Sequence, residues 1–163
     1  MKKFLVSIVC MVGVALLAAC GTTLGSAEAS AERAAAVKQA LADRNFKIDV
    51  NFMYPMRGSS RNLTSEYSLE VRNDSLFSHL PYMGEARNLP YGGGVGLNFD
   101  EHISSYVQQQ QKNDEYLIEI GVKNTEDVYV YTIRVFDNGR SSIDVRSRLR
   151  DPISYSGELS FNH

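Results

Sequence analysis

The sequence predicts a mainly β protein: an antiparallel meander of eight or nine strands, curled into a barrel or half-barrel, behind one N-terminal helix. Three observations predict it. From Phe46 onward, apolar residues recur at every second position in run after run, the period of a half-buried strand. The runs are separated by short turns rather than by helices, so neighbouring strands run antiparallel. The one alanine-rich segment is poor in large apolar residues and cannot cover a sheet, so the sheet must bury its own apolar face.

Residues 1–19 precede the fold. Lys2 and Lys3 form a basic start, Phe4 to Ala19 is nearly unbroken apolar sequence, and small residues follow. This is the layout of a secretory signal peptide. The apolar run is shorter than the roughly 20 residues a membrane span requires. Leu17-Ala18-Ala19-Cys20 resembles a bacterial lipobox. That likeness implies cleavage before Cys20, a diacylglycerol on its thiol and acylation of the new amino terminus. Several acyl chains, at about 0.8 kcal/mol per buried CH₂, would hold the protein on a membrane. Residues 20–29 then read as a lipidated, flexible tether, and residues 30–163 as one β domain with its helix.

The chain of 163 residues carries a net charge of −2, and the leader takes two lysines with it. An acidic balance without a basic cluster argues against a nucleic-acid partner. Of the two cysteines, Cys10 lies in the leader and Cys20 is the lipidation site. The domain therefore has no disulfide to draw on.

The helix is predicted in "AEASAERAAAVKQALADRNF", about 15 residues long, because alanine is the best helix former. Glu28 and Glu32 suit its start, and Lys38 and Arg44 its end. Ala34, Val37 and Leu41 form a thin apolar stripe. Ile48, Val50, Phe52 and Tyr54 then alternate up to Pro55. Tyr67, Leu69 and Val71 follow, and a two-residue turn at Asn73-Asp74 sets Val71 opposite Leu76. Ser78 to Phe99 breaks the rhythm with two prolines and five glycines. It reads as a structural corner, with Leu80 and Leu89 folding inward and Pro81 and Pro90 ending their strands. Val95, Leu97 and Phe99 resume the alternation, and a weak strand spans Ile103 to Val107.

The last hairpins fix their own registers. A four-residue loop at Asn124–Asp127 sets Val122 opposite Tyr129, Ile120 opposite Tyr131 and Ile118 opposite Ile133. After Phe136, a two-residue Asn138-Gly139 turn would mix polar and apolar faces. A three-residue Asp137-Asn138-Gly139 loop, with Gly139 left-handed in a bulge, sets Ile143 opposite Ile133 and Val145 opposite Tyr131. The final strand runs Ile153, Tyr155, Gly157, Leu159, Phe161.

Catalytic patterns are missing from this reading. His79, His102 and His163 form no zinc motif. Ser78 and His79 are adjacent, so on a strand they point to opposite faces and cannot act together. "GGGVG" lacks the Lys-Ser/Thr of a phosphate loop. The acidic pairs Asp114-Glu115 and Glu126-Asp127 read as solvated turn charges. No metal and no cofactor are expected, and the protein is not expected to be an enzyme.

Tyrosine carries more. Tyr54, Tyr67, Tyr129, Tyr131 and Tyr155 fall on apolar strand faces, where each hydroxyl needs a partner. Either they are core with hydroxyls at the rim, or Tyr67, Tyr129, Tyr131 and Tyr155 line a small-molecule cavity. In the second case Tyr82, Arg87 and Tyr91 form its rim, with Arg87 meeting an anionic group.

Four segments, "FKIDVNFMYP", "LPYMGEA", "GGGVGLNF" and "ISYSGELS", resemble the domain-of-unknown-function 4251 family, small secreted or lipid-anchored proteins of Bacteroidota. The family more often has an aromatic residue at Met83 and arginine at Glu85. The resemblance spans about residues 30–163 and implies a lipocalin-like curled sheet; it brings no known activity. It also implies an outer-membrane anchor facing the periplasm, because no acidic residue precedes Glu28 after Cys20. Asp74-Ser75-Leu76 is similar to that lineage's O-glycosylation signal, which places a glycan on Ser75. The expected function is a non-catalytic binding module for a small apolar or amphipathic ligand or a peptide. The alternative is a structural protein docking on another envelope component.

Overall fold

The computed structural model describes residues 21–87, 96–112 and 114–161, with side chains from residue 27 onward. The described residues fall into two units, divided between Arg33 and Ala34. Helix α1 spans Gly21–Ala42 and is longer than its sequence signals suggest. No proline interrupts it, so the segment expected to be a flexible tether is helical from Gly21 onward. Glu28 and Glu32 therefore lie inside the helix instead of at its start. The expected stripe is real in the second unit: Val37 and Leu41 are fully buried. The helix ends at Ala42, and two residues later Arg44 has a φ of 49°, which a right-handed helix does not accommodate. The Arg44 guanidinium then lies over the Tyr106 ring, 4.4 Å from its centre.

Eight strands follow: β1 (Asn45–Pro55), β2 (Arg61–Arg72), β3 (Ser75–Leu80), β4 (Leu97–Gln110), β5 (Glu115–Lys123), β6 (Val128–Phe136), β7 (Arg140–Ser147) and β8 (Ile153–Ser160). Each pairs antiparallel with the next, and β8 returns to β1, so the meander closes into a barrel. The count is eight because the segments around Leu97 and Ile103 form one strand of 14 residues. Inward positions are apolar: Phe46, Ile48, Leu69, Val71, Leu76, Ile118, Ile133 and Ile143 have no accessible surface. Outward positions carry charge, among them Lys47, Asp49, Glu119, Arg134, Asp144 and Glu158. This inside-out relation to a membrane barrel, whose outer band is apolar, fits a barrel surrounded by water.

The expected registers are present. Val71 faces Leu76, Val122 faces Tyr129, Ile120 faces Tyr131, and Ile118 faces Ile133. Ile143 faces Ile133 and Val145 faces Tyr131, as the three-residue loop requires. Gly139 has φ +83°, and its N–H donates to the Phe136 carbonyl at 2.9 Å. Gly139→Ala should therefore destabilise the fold by about 1 kcal/mol in urea unfolding, since alanine resists positive φ. An unchanged midpoint would contradict the left-handed assignment.

Alternation fails in β1. Its register shifts between Val50 and Phe52 against both neighbours. The extra residue, Asn51, reverses the faces beyond it. Met53 turns inward, while Tyr54 is 46% exposed and its ring meets Phe52 on the outside at 4.8 Å. The assignment of Tyr54 to the apolar face is therefore corrected. The bulge also matches Gly157, which sits opposite Val50. A Cβ there would lie 2.2 Å from the Asp49 carbonyl oxygen. Phe161 lies beyond β8 and is exposed.

Candidate functional site

The tyrosines expected to line a cavity are packed solid. Tyr129 and Tyr131 have no accessible surface and Tyr155 has 1%, so no water-sized void lies against their rings. Each hydroxyl is held within the protein. Tyr131 and Ser78 share a hydrogen bond of 3.0 Å, and Ser78 donates onward to the Leu97 carbonyl at 2.7 Å. Tyr155 donates to the Pro81 carbonyl at 2.6 Å and Tyr129 to that of Gly96 at 3.2 Å. Backbone carbonyls at the edge of the corner thus supply what a cavity or rim would otherwise have to. The cavity reading is corrected for these three residues, which belong to the core.

Burial raises the Tyr131 and Tyr155 hydroxyls above the ordinary tyrosine range and pushes Tyr106 up to about 12. Their folded pKa values exceed the unfolded value near 10. The stability they contribute is complete below pH 10 and is lost as the pH rises towards the folded values, because the unfolded chain then binds fewer protons. For Tyr131 alone the loss approaches 1.4 kcal/mol per pH unit. Unfolding free energy should therefore fall steeply above pH 10, and Tyr131→Phe should flatten that fall. A single absorbance step near pH 10 accounting for all nine tyrosines in the folded protein would contradict this.

The segment Leu80–Arg87 closes one end of the barrel. Leu80 is fully buried. The Tyr82 hydroxyl shares its proton between the carbonyls of Glu85 (2.9 Å) and Asp151 (3.2 Å). The Arg87 N–H donates to the Leu149 carbonyl at 2.7 Å, the Asp151 N–H to that of Glu85 at 3.0 Å, and Ala86 bridges to Arg150. Arg57 pairs with Glu85 and lies 3.9 Å from Asp151. Of the expected rim, Tyr82 is thus bound into the clasp and the Arg87 side chain is exposed. Tyr91, Leu89, Pro90, the glycines from 92 to 94 and Val95 lie outside the described residues, as do Cys20 and His163. Ser75 is the half-buried first residue of β3, paired with Arg72 and His102.

Two residues under this clasp carry weight that the sequence reading missed. Arg150 is 8% exposed. Its Nη2 meets Glu126 at 2.9 Å, its Nε donates to the Tyr129 hydroxyl at 3.4 Å, and its guanidinium lies 5.5 Å from the Tyr82 ring centre. Asp127 is 4% exposed. Its Oδ1 accepts from the N–H groups of Val128 (2.8 Å) and Arg148 (3.2 Å), and its Oδ2 from that of Leu149 (2.9 Å). Glu126-Asp127 is therefore no solvated pair; it ties the β5–β6 loop to the β7–β8 loop. The available signal was Asn124, three residues earlier, whose side chain accepts from the Glu126 and Asp127 N–H groups and shapes the loop.

Two grooves lie in the wall, on either side of the β1 bulge; a shallower one of about 420 Å³ lies at Gln111, Lys112, Glu115, Leu117 and Arg134. Val50 pairs with Tyr67, but the next pair is Phe52 with Asn62. Leu63, Thr64, Ser65 and Glu66 thus stand opposite the single residue Asn51 and take no place in the ladder. The gap is a groove of about 570 Å³, floored by Val50, Leu63, Tyr67 and Leu159, with Asp49, Thr64, Ser65, Glu66 and Glu158 among its polar walls. A second groove of about 470 Å³ shares Asn51 and Glu158 with the first and continues along Ser142, Ser156 and Arg140. Tyr67 alone of the four expected cavity tyrosines borders these grooves, half-buried and stacked on His79 at 5.5 Å. Among the described residues, no cluster of histidine, cysteine and carboxylate side chains could hold a metal, and no helix is long and apolar enough to cross a membrane.

The model of a domain of unknown function, DUF4251, matches residues 28–159. The chain belongs to the DUF4251 family. The match takes in β1 to β7, all of β8 but its last residue, the clasp and both grooves. Among solved structures, a DUF4251 family protein from Bacteroides eggerthii DSM 20697 is similar to it at 15% identity and a TM-score of 0.62, over 81% of this chain and 89% of that one. At that identity the likeness is one of fold. No curated protein matches the chain.

Proposed function

We propose that this DUF4251 chain is a lipid-anchored envelope protein whose barrel is a non-catalytic binding module, and that it binds a small amphipathic ligand or a peptide in the wall grooves around Asn51. The observation that carries the reading is the gap at the β1 bulge. It combines an apolar floor with polar walls and a row of β2 backbone outside the ladder, the mixture that recognises an amphipathic molecule. The filled interior supports placing the ligand in the wall. The "LLAAC" segment behind a basic start supports the anchor, and the absence of an acidic residue before Glu28 supports an outer-membrane protein facing the periplasm. Ser75 stays a candidate for O-glycosylation at the β2–β3 hairpin.

Native mass spectrometry of the protein purified from membranes tests the binding reading. The expected result is a non-covalent adduct that Ser65→Trp removes by filling the groove, while Arg87→Ala leaves it in place. An adduct that survives Ser65→Trp and is lost in Arg87→Ala would move the site to the clasp and sink the proposal. The anchor has its own test. Cys20→Ser should abolish palmitate labelling and leave unprocessed precursor, and undiminished labelling would remove the basis for the localisation.

A further inference from the structure

Strand β4 is longer than the strand beside it. Its ladder with β3 runs from Leu80 opposite Leu97 to Ser75 opposite His102. The Ile103 N–H, donating to the Asp74 carbonyl at 2.8 Å, makes one more bond on that side. β4 nevertheless continues to Gln110, paired with β5 alone from Ile103 opposite Val122 to Gln110 opposite Tyr116. Among the described residues, no strand lies against the other edge of Ser104–Gln110. The segment is also open to solvent: Ser104, Ser105, Gln109 and Gln110 are exposed, and Val107 is 50% exposed.

A free edge presents unpaired N–H and C=O groups and accepts another strand unless charge, proline or a bulge prevents it. β4 has a bulge only where it leaves β3, between Ile103 and Ser105, and is regular from Ser105 to Gln110. From Ile103 to Gln111 the sequence is ISSYVQQQQ, without charge or proline, bounded by Glu101-His102 and Lys112. Two copies of this segment can come together without opposing like charges along it.

We propose that Ser104–Gln110 pairs antiparallel with the same segment of a second copy, joining two barrels edge to edge. The segment is self-complementary. Pairing about Val107 sets Val107 against its own copy, Tyr106 against Gln108 and Ser105 against Gln109. Glutamine both donates and accepts, so each of these polar pairs can be satisfied. Tyr106 and Gln108 already show the contact within one chain, the hydroxyl donating to Oε1 at 2.8 Å. The edge is separate from the grooves at Asn51, and neither reading depends on the other.

Sedimentation velocity of the purified full chain, in detergent, tests this. The wild type should sediment as a dimer. Val107→Lys, which opposes two ammonium groups at the two-fold axis, should shift it to monomer with the far-UV circular dichroism spectrum unchanged, because Val107 is 50% exposed and stands outside the core. Val107→Thr should remain dimeric. If Val107→Lys proved unstable, Gln109→Lys should give the same shift. Val107→Cys should form an intermolecular disulfide on mild oxidation, whereas Val128→Cys, exposed on β6, should not. A monomeric wild type overturns the proposal, including the case in which another protein's strand occupies the edge. So does a dimer that survives both lysine variants.

Discussion

Gly157→Ala should destabilise the barrel by about 3 kcal/mol or more, above the usual range for overpacking by one methyl group. The added Cβ would sit 2.2 Å from the Asp49 carbonyl oxygen, 3.0 Å from the Asp49 carbonyl carbon and 3.1 Å from the Val50 Cα. All three are main-chain atoms of β1, so no side chain can swing aside to relieve the clash. The strand itself must retreat from β8, and the β1–β8 ladder is the seam that closes the barrel. The effect should greatly exceed that of Gly139→Ala, whose Cβ meets nothing closer than 3.6 Å. Urea unfolding measures both. A Gly157→Ala loss below about 1 kcal/mol would mean that the seam is looser than the ladder implies.

Asp127→Ala should cost about 3 kcal/mol. The carboxylate accepts three backbone N–H groups from two loops. Hydrogen bonds to a charged group contribute about 1.5–3 kcal/mol each when buried. Arg148 is exposed and Leu149 half-buried, so water recovers part of the loss. Asp127→Asn keeps one acceptor oxygen and should fall between wild type and alanine. Hydrogen exchange at Arg148 and Leu149 should quicken in the alanine variant. If stability moved by less than about 0.5 kcal/mol, the ordinary range for surface changes, the loop tie would be incidental.

The parts of this fold legible in the sequence are those where one local rule has no competitor. Register is one, because a one-residue slip would carry Ile133, Ile143 and Val145 to the wrong face. Only one loop length after Phe136 satisfied them, and Gly139 supplies the backbone that loop needs. The misreadings have a common origin in long-range contact. Phe52 and Tyr54 look inward by alternation, and only the approach of β8 at Gly157, about a hundred residues away, makes room for the bulge that turns them out. Glu126 and Asp127 look like turn charges until Arg150 and the β7–β8 loop close over them. The tyrosine hydroxyls could be partnered by a cavity or by backbone, and the carbonyls of Pro81 and Gly96 that decide it belong to the one stretch without periodicity. The wall grooves follow from the same bulge and share its illegibility.

The proposed binding site lies in the wall and not in the barrel interior. Two-dimensional amide NMR of the labelled protein, titrated with the amphipathic fraction of an envelope extract, tests it most directly. Saturable shifts are expected at Asn51, at residues 63–67 and at Ser142, Ser156 and Glu158, with Tyr129, Tyr131 and Tyr155 unmoved. Shifts centred on those three tyrosines, with the Asn51 region silent, would contradict it.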